Sequence, residues 1–278
     1  MTLAVAEPAT STQSQQTREA YEALSSAYDA LTADYCYDRW LAAIDALLFG
    51  LHAQGDRVLD LACGTGKSFV GMIERGHTVT ACDVSPAMAA LAARKAPTAR
   101  VFVADMCTLG RCGEFDLVTC LDDGMNYLLD EEQLAGALRT VRANLAPGGL
   151  AVWDVNALLM YRTSFATDSI TERDGFFIAW SGTATANARA DAVVEATIDV
   201  FAPQPAGWSR ARSVHRQRHW PAQSVARIAH EAGLRIVATR GQRRGAVLDP
   251  FIDEGLHSKI LFVACRDDDD RHTEGGAP

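Results

Sequence analysis

A chain of 278 residues, 48 % hydrophobic and 22 % charged, carries enough apolar material for one large α/β domain or a domain with an inserted cap. Its net charge of -9 argues against a nucleic-acid substrate, because proteins that track phosphates carry a basic surface. Seven scattered cysteines with no C-x-x-C pair predict a reducing compartment and no structural zinc. With neither a basic-apolar leader nor an apolar run of membrane length, the sequence predicts a cytoplasmic protein.

Residues 1–16, rich in Ala, Thr, Ser and Gln, predict a disordered tail, and so does the acidic stretch 266–278. Between them, 17–265 reads as a single domain. Apolar residues at helical spacing predict helices over 18–31 (Tyr21, Leu24, Tyr28, Leu31) and 38–52 (Leu41, Ile44, Leu47, Leu48). Arg57–Leu61 is a strand that enters a glycine cluster, and a helix follows from about Lys67 to Arg75. Thr78–Cys82 is the next strand. Ser85 as N-cap and Pro86 at the first helical position open the helix after it. Arg100–Ala104 and Phe115–Leu121 are further strands, followed by a helix near 131–145, a turn at Pro147-Gly148-Gly149 and a strand Leu150–Val155. Continuous apolar strands alternating with helices predict βαβ units and a doubly wound, mostly parallel sheet covered on both faces. After Val155 the pattern changes. Phe176–Ser181, Ala192–Phe201 and Trp208–His219 are extended segments joined by turns, which predicts an antiparallel cap inserted at about 156–220. A helix (Pro221–Ala232) and strands Leu234–Thr239 and Ser258–Cys265 complete the domain.

Ligands of such sheets bind beyond the carboxyl ends of the strands. The first strand ends in Asp60-Leu61-Ala62-Cys63-Gly64-Thr65-Gly66. A phosphate-binding P-loop would need glycine where Leu61 stands, and a NAD fingerprint would need a small residue in place of Phe69. Asp60, just before the glycines, favours a ligand that carries a cation and repels a pyrophosphate. S-adenosylmethionine has an α-ammonium and a sulfonium and no phosphate. Asp83, ending the second strand, is placed to accept hydrogen bonds from ribose hydroxyls. Asp105 and Met106, ending the third, offer a carboxylate to an adenine amino group and an apolar side chain to its ring. Any one of these acids could merely cap a helix, but three at successive strand ends point together to a nucleoside ligand.

The segments Asp60–Gly66, Asp83-Val84-Ser85-Pro86-Ala87-Met88, Ala104-Asp105-Met106 and Leu145–Gly149 resemble the successive motifs of class I S-adenosylmethionine-dependent methyltransferases, over about residues 55–155. The resemblance implies a seven-stranded sheet whose last strand is antiparallel, S-adenosylmethionine as cofactor and S-adenosylhomocysteine as product. It implies a cradle made of Asp60, Ala62, Gly64, Gly66, Asp83, Val84, Met88, Asp105, Met106 and Leu121. The stretch 115–128, Tyr28-Asp29 and Tyr37, and Arg210, His215, Gln217 and Arg218 are similar to a subgroup acting on small molecules, which includes sugar N-methyltransferases and other tailoring enzymes of secondary metabolism. In that subgroup N-terminal helices close over the cofactor, and the insert forms a cap or a dimer contact. Ser213 and Val214 stand where such enzymes often carry a glutamate.

Tyr28 and Tyr37 are candidates to line the methionine end of the cofactor, with core packing as the alternative. Asp122 and Asp123 follow the fourth strand, where the methyl group should point: one could face the cofactor and the other the substrate, or they could form a solvated turn. His215 is the candidate general base because an imidazole titrates near neutrality, with hydrogen-bonded packing as its alternative role. His215, Tyr28 and Asp122 are thus the expected catalytic set. Trp180, Trp208, Trp220, Phe176, Phe177 and Phe201 predict either a flat pocket for an indole, aromatic amine or phenol, or a buried homodimer interface. The expected reaction moves a methyl group to nitrogen, carbon or oxygen of a small metabolite in natural-product biosynthesis, with C-methylation of an indole as one alternative. A nicotinamide-dependent oxidoreductase and a non-catalytic cofactor-binding protein are the rival classes. No spacing of metal ligands stands out.

Overall fold

The N-terminal third begins with three helices, α1 (Thr12–Leu24), α2 (Tyr28–Leu31) and α3 (Tyr37–Gly50), in a computed structural model that describes residues 12–51 and 53–269. The expected tails 1–11 and 270–278 lie outside the described residues. Residues 12–16, expected in the tail, instead form the first turn of α1. The α/β core then runs β1 (Arg57–Leu61), α4 (Lys67–Glu74), β2 (Thr78–Asp83), α5 (Pro86–Lys95), β3 (Arg100–Val103), β4 (Phe115–Cys120), α6 (Glu131–Asn144) and β5 (Leu145–Asn156). A short helix α7 (Leu158–Arg162) leads into β6 (Asp168–Arg173), β7 (Phe176–Gly182), β8 (Val193–Gln204) and β9 (Gly207–Arg218). The chain returns through α8 (Ala222–Glu231), β10 (Leu234–Arg243), β11 (Val247–Asp249) and β12 (Lys259–Arg266).

The main sheet has eight strands in the order β11-β10-β12-β5-β4-β1-β2-β3. Strands β3, β2, β1, β4 and β5 are parallel, and β12 lies antiparallel to both β5 and β10. The seven expected strands are present. The eighth is β11, three residues long, too short to leave a pattern. The order reverses between β1 and β4, so the loops after these strands open a crevice at the switch point.

Two apolar layers flank this sheet. Leu134, Leu138, Val141, Val225 and Ile228 from α6 and α8 cover one face, while Leu41, Ile44, Phe69 and Ala92 from α3, α4 and α5 cover the other. Both faces of β5 are therefore buried, which accounts for its unbroken run Leu150–Val155. Ser85 caps α5 as expected, its Oγ accepting from the Met88 N–H at 3.2 Å. Pro147-Gly148-Gly149 is not a separate turn. It forms a bulge inside β5, where the register with β4 shifts between Phe115 and Leu117.

The cap is a separate antiparallel sheet in the order β6-β7-β8-β9. It has one strand more than expected, since β6 is mostly exposed and lacks an apolar period. Val194, Ala196, Ile198 and Val200 alternate inward along β8, and Leu24, Ala27 and Ala30 of the N-terminal helices pack against that face. Among the described residues, no helix is long and apolar enough to cross a membrane.

Candidate functional site

Two cavities meet where the N-terminal helices, the strand ends and the cap converge. The first, about 850 Å³, lies over the carboxyl ends of β1, β2, β3 and β4. Ala62, Gly64, Asp83, Val84, Asp105, Met106 and Leu121 line it, with Tyr28, Tyr37 and Asp122 at its inner end. These are ten of the residues expected to touch the cofactor or the reacting group. The Asp83 carboxylate accepts backbone N–H groups from Gly64 (2.8 Å) and Ser85 (2.8 Å). Burial pushes its pKa up to about 6, against the pull of those donors. Gly64 stands at φ +54°, and an added Cβ would point at the Tyr28 ring 3.9 Å away, into the space a ligand would fill.

Three expected residues do not line this cavity. Asp60 is fully buried beneath the loop, where the hydroxyls of Ser68 and Thr119 each donate to its carboxylate at 2.6 Å. It braces β1 against α4 and β4 and cannot face a cation in the cavity; burial outweighs both donors and pushes it up to about 6. Gly66 adopts φ +86° as the N-cap of α4, where a Cβ would meet Ala92 at 3.3 Å, so it brings α4 close to α5. Met88 is buried in the core below α5.

The N-terminal helices close the cavity from above. Gln13, Ser14, Thr17 and Tyr21 of α1 line it, although residues 12–16 had no apolar period to reveal a helix. Glu22 Oε1 accepts from Ser85 Oγ (3.0 Å) and the Ala87 N–H (3.2 Å), which pins α1 to the start of α5. Asp29 accepts from Thr65 Oγ1 (2.7 Å) and pairs with Lys95 (2.5 Å), which pins α2 to the glycine loop.

The second cavity, about 1080 Å³, lies between α1, α2 and the cap. It shares Tyr21, Tyr28, Asp122 and Tyr127 with the first. Leu24, Leu31, Met160, Phe165, Trp180 and Ile198 form its apolar walls. Its polar end holds Asp123, Asn156, His215, Gln217 and Lys259. Asp122 and Asp123 both adopt left-handed backbone, at φ 70° and 61°. The Asp154 carboxylate accepts both of their N–H groups, at 2.6 and 3.0 Å. Asp122 accepts the Tyr37 hydroxyl at 2.7 Å, while Asp123 accepts Gln217 Nε2 at 2.6 Å and Asn156 Nδ2 at 2.9 Å. One acid thus faces both cavities and its neighbour only the second.

Lys259 stands at the centre of these acids, 2.9 Å from Asp154, 3.0 Å from Asp122 and 3.8 Å from Asp123. Burial alone would lower its pKa, but the three carboxylates hold it well above the usual lysine value. Asp123 is pushed up to about 6 by burial, opposed by Lys259 and reinforced by Asp122 and Asp154. Neither Lys259 nor Asp154 was singled out from the sequence. A lysine opening an apolar strand and an acid inside one (Trp153-Asp154-Val155) are the signals that mark them.

His215 does reach the second cavity, but not as a free base. Its Nδ1 is 3.0 Å from the Tyr127 hydroxyl and its Nε2 is 2.9 Å from Ser213 Oγ. Burial pushes the ring down to about 4, so at neutral pH it is uncharged and both nitrogens are taken. Ser213 thus has a structural partner inside the cap, while Val214 points outward and is exposed. Tyr28 and Tyr37 are held well above the ordinary phenol range, by burial first and by Asp122 second, and remain neutral. The expected aromatic pocket is not assembled. Of the six expected aromatic residues only Trp180 lines the cavity, where Phe165, Tyr21, Tyr28, Tyr35 and Tyr127 supply further rings; Trp220 is fully buried with its indole N–H on Leu128 O, and Trp208 is 63 % exposed. Arg210 sits on the outer side of the cap, paired with Asp199, and Arg218 lies over the Trp220 ring.

The first cavity suits a nucleoside cofactor without phosphate. Asp83, Asp105 and Asp122 give it negative charge, and its cationic lining residue, Lys67, already donates to the carbonyl and hydroxyl of Thr32 at 2.7 and 2.9 Å. That balance accepts an ammonium and a sulfonium and opposes the pyrophosphate of a nicotinamide dinucleotide.

Comparison with known proteins agrees with this geometry. Residues 58–149 match the family model described as a methyltransferase domain, which spans the first four strand ends and the bulge of β5. The chain is 26 % identical over 221 residues to a putative methyltransferase, YqeM, of Bacillus subtilis (strain 168), covering 78 % of this chain and 87 % of that protein. It is 30 % identical over 116 residues to the dTDP-3-amino-3,6-dideoxy-alpha-D-glucopyranose N,N-dimethyltransferase of Streptomyces fradiae, covering 42 % of this chain and 46 % of that enzyme. An S-adenosylmethionine-dependent methyltransferase of Clostridium acetobutylicum ATCC 824 shares the fold with a TM-score of 0.71 and 23 % identity, over 88 % of this chain and 98 % of that one.

Proposed function

We propose that this chain, an S-adenosylmethionine-dependent methyltransferase of the class I fold, methylates a free amino group on a small hydroxylated metabolite, of the amino-sugar type, in natural-product biosynthesis. The observation that carries the reading is the acidic turn between the two cavities, with Asp123 facing the second cavity alone. Three carboxylates around one buried lysine leave this end of the cavity electronegative, which attracts an ammonium and offers nothing to an indole carbon. Asn156 Oδ1 is buried against the same cavity without a hydrogen-bond partner. Such an atom favours a substrate that brings a donor, as an amine or a hydroxyl does. The hydroxyls of Ser164, Thr167 and Ser169 on the cap side suit a polyhydroxylated ring. The S. fradiae relative, by its name, methylates an amino-sugar nucleotide, and the likeness extends that chemistry to this chain as a proposal.

S-adenosylmethionine, when bound, would supply an electrophilic methyl group on its sulfonium, with neutral S-adenosylhomocysteine as the leaving group for an attacking nitrogen lone pair. The protein's part is to position the two reactants and to take a proton. Asp83, Asp105 and the Ala62–Gly64 loop hold the nucleoside end. Tyr28, Tyr37 and Asp122 orient the groups at the junction. Asp123, ionised above about pH 6, accepts the proton that an ammonium must lose before its nitrogen can attack. The helices α1 and α2 line one side of both cavities.

The test is formation of S-adenosylhomocysteine from S-adenosylmethionine with methyl 3-amino-3-deoxyglucopyranoside, its N-acetyl derivative, indole and phenol as acceptors. Turnover with the free amine and none with the amide supports the reading. Transfer to indole or phenol in preference to the amine would overturn it.

A further inference from the structure

The turn that carries Asp122 and Asp123 is the least self-sufficient part of the site. Two successive non-glycine residues at positive φ are strained and persist only where the surroundings impose them. Here one buried side chain does so, because Asp154 Oδ1 and Oδ2 each receive one N–H of the turn. An amide, with one acceptor oxygen and an NH2 that can only donate, would leave one of these two N–H groups facing a donor. The fully buried Asp154 in turn needs a cation, and Lys259 provides it from β12, directly beside β5. The Lys259 ammonium also lies 5.8 Å over the Trp40 ring, so α3 fixes it from the other side.

We propose that Asp154 and Lys259 are positioning residues for the transfer: Asp154 holds the left-handed Asp122–Asp123 turn through its two backbone N–H groups, and Lys259 sets how much negative charge that turn presents to the acceptor amine. Neither touches the reacting atoms. The proposal deepens the amine reading above, and its geometric part stands whatever the acceptor is.

The charged and titratable groups that face Asp123 are few. Asp122 adjoins it, Asp154 comes from β5 and Lys259 from β12. Tyr21 of α1, Tyr28 of α2, Tyr35, Tyr127 and Tyr161 also feel its charge, as does the Cys120 thiol of β4; all are held above their ordinary range and neutral. His215 of β9 is neutral as well. The charge balance at Asp123 is therefore set by two acids and one lysine. Removing the lysine must make ionisation of Asp123 harder, and removing the Asp154 charge must make it easier.

Carboxyl carbon NMR of the full chain without cofactor reads this directly, with Asp123→Asn identifying the resonance. Lys259→Met should move the Asp123 titration upward by roughly 1–3 pH units, and Asp154→Asn should move it downward. Lys259→Arg, which keeps the charge, should leave it near its original position. A contribution to folding alone would not shift the two variants in opposite directions. Shifts in the same direction, or none, would overturn the proposal. If Lys259→Met does not fold, Asp154→Asn still decides, since an unmoved Asp123 titration in that variant refutes it. The amine reading fails separately. If Asp123→Asn retains the activity and pH profile of the unaltered enzyme, Asp123 is not the proton acceptor, while the titration shifts still judge the positioning pair.

Discussion

Asp83 and Asp123 are both carboxyls that burial pushes up to about 6, yet different parts of the chain hold them. Asp83 is gripped by backbone N–H groups of Gly64 and Ser85, the turns that follow β1 and β2. Asp123 is gripped by side chains from distant segments: Gln217 of β9, Asn156 of β5 and Lys259 of β12. A carboxylate on backbone donors survives exchange of its neighbours, because the donors are there whatever side chains stand at those positions. One on side-chain donors can be retuned by a single substitution. On the proposed function, the cofactor half of the site rests on backbone donors and the acceptor half on side chains.

The comparison is broken most directly at Asp123. Asp123→Asn should lower kcat by on the order of 10²–10⁴-fold, the usual span for loss of a proton-transfer group, without loss of S-adenosylhomocysteine affinity by calorimetry. A variant with undiminished kcat would leave the acceptor half without a base. Asp83→Ala makes the opposite cut. It should weaken S-adenosylhomocysteine binding by on the order of 1–3 kcal/mol, the value of hydrogen bonds to a charged acceptor. Unchanged affinity would mean that Asp83 does not meet the ribose.

A pH series sharpens the same contrast with a smaller effect. Both acids act when ionised, and both have pKa values raised to about 6, so each function is complete above that pH and declines as pH falls through it. Cofactor affinity and kcat should each fall by roughly tenfold per pH unit well below the pKa. In Asp83→Asn the decline in affinity should disappear while the decline in kcat persists. If both declines disappear together, one group governs both halves and the division is wrong.

The same division explains what could be read in advance. Gly64, Asp83, Asp105 and Met106 announce themselves because each follows an apolar strand at once, and topology alone carries strand ends to one edge. Asp60 had the same local signature, yet Ser68 and Thr119 draw it under the loop, a contact between β1 and β4 that no linear spacing encodes. The helix over Thr12–Gln16 shows no apolar period, because the residues it turns toward the first cavity, Gln13 and Ser14, are themselves polar. Lys259 and Asp154 escaped notice because each is meaningful only beside the other, and the pairing of β12 with β5 that joins them spans about a hundred residues. His215 lines the second cavity with both ring nitrogens hydrogen-bonded. Its position on the inner face of β9 follows from alternation, whereas its low pKa depends on burial under α1 and Tyr127.

His215 therefore provides the finest test of the boundary. Uncharged and hydrogen-bonded at both nitrogens, it holds the Tyr127 hydroxyl and closes the floor of the second cavity. In His215→Gln an amide can still meet one of those hydroxyls, so the loss in kcat should stay below about tenfold, or ~1.4 kcal/mol of barrier. More telling is the pH profile. A ring whose conjugate acid lies near 4 cannot produce a decline centred near 6, so the acidic limb of kcat should stay where Asp123 puts it. If the limb vanishes in His215→Gln and survives in Asp123→Asn, the proton passes to the imidazole, and the acidic turn serves only to attract the amine.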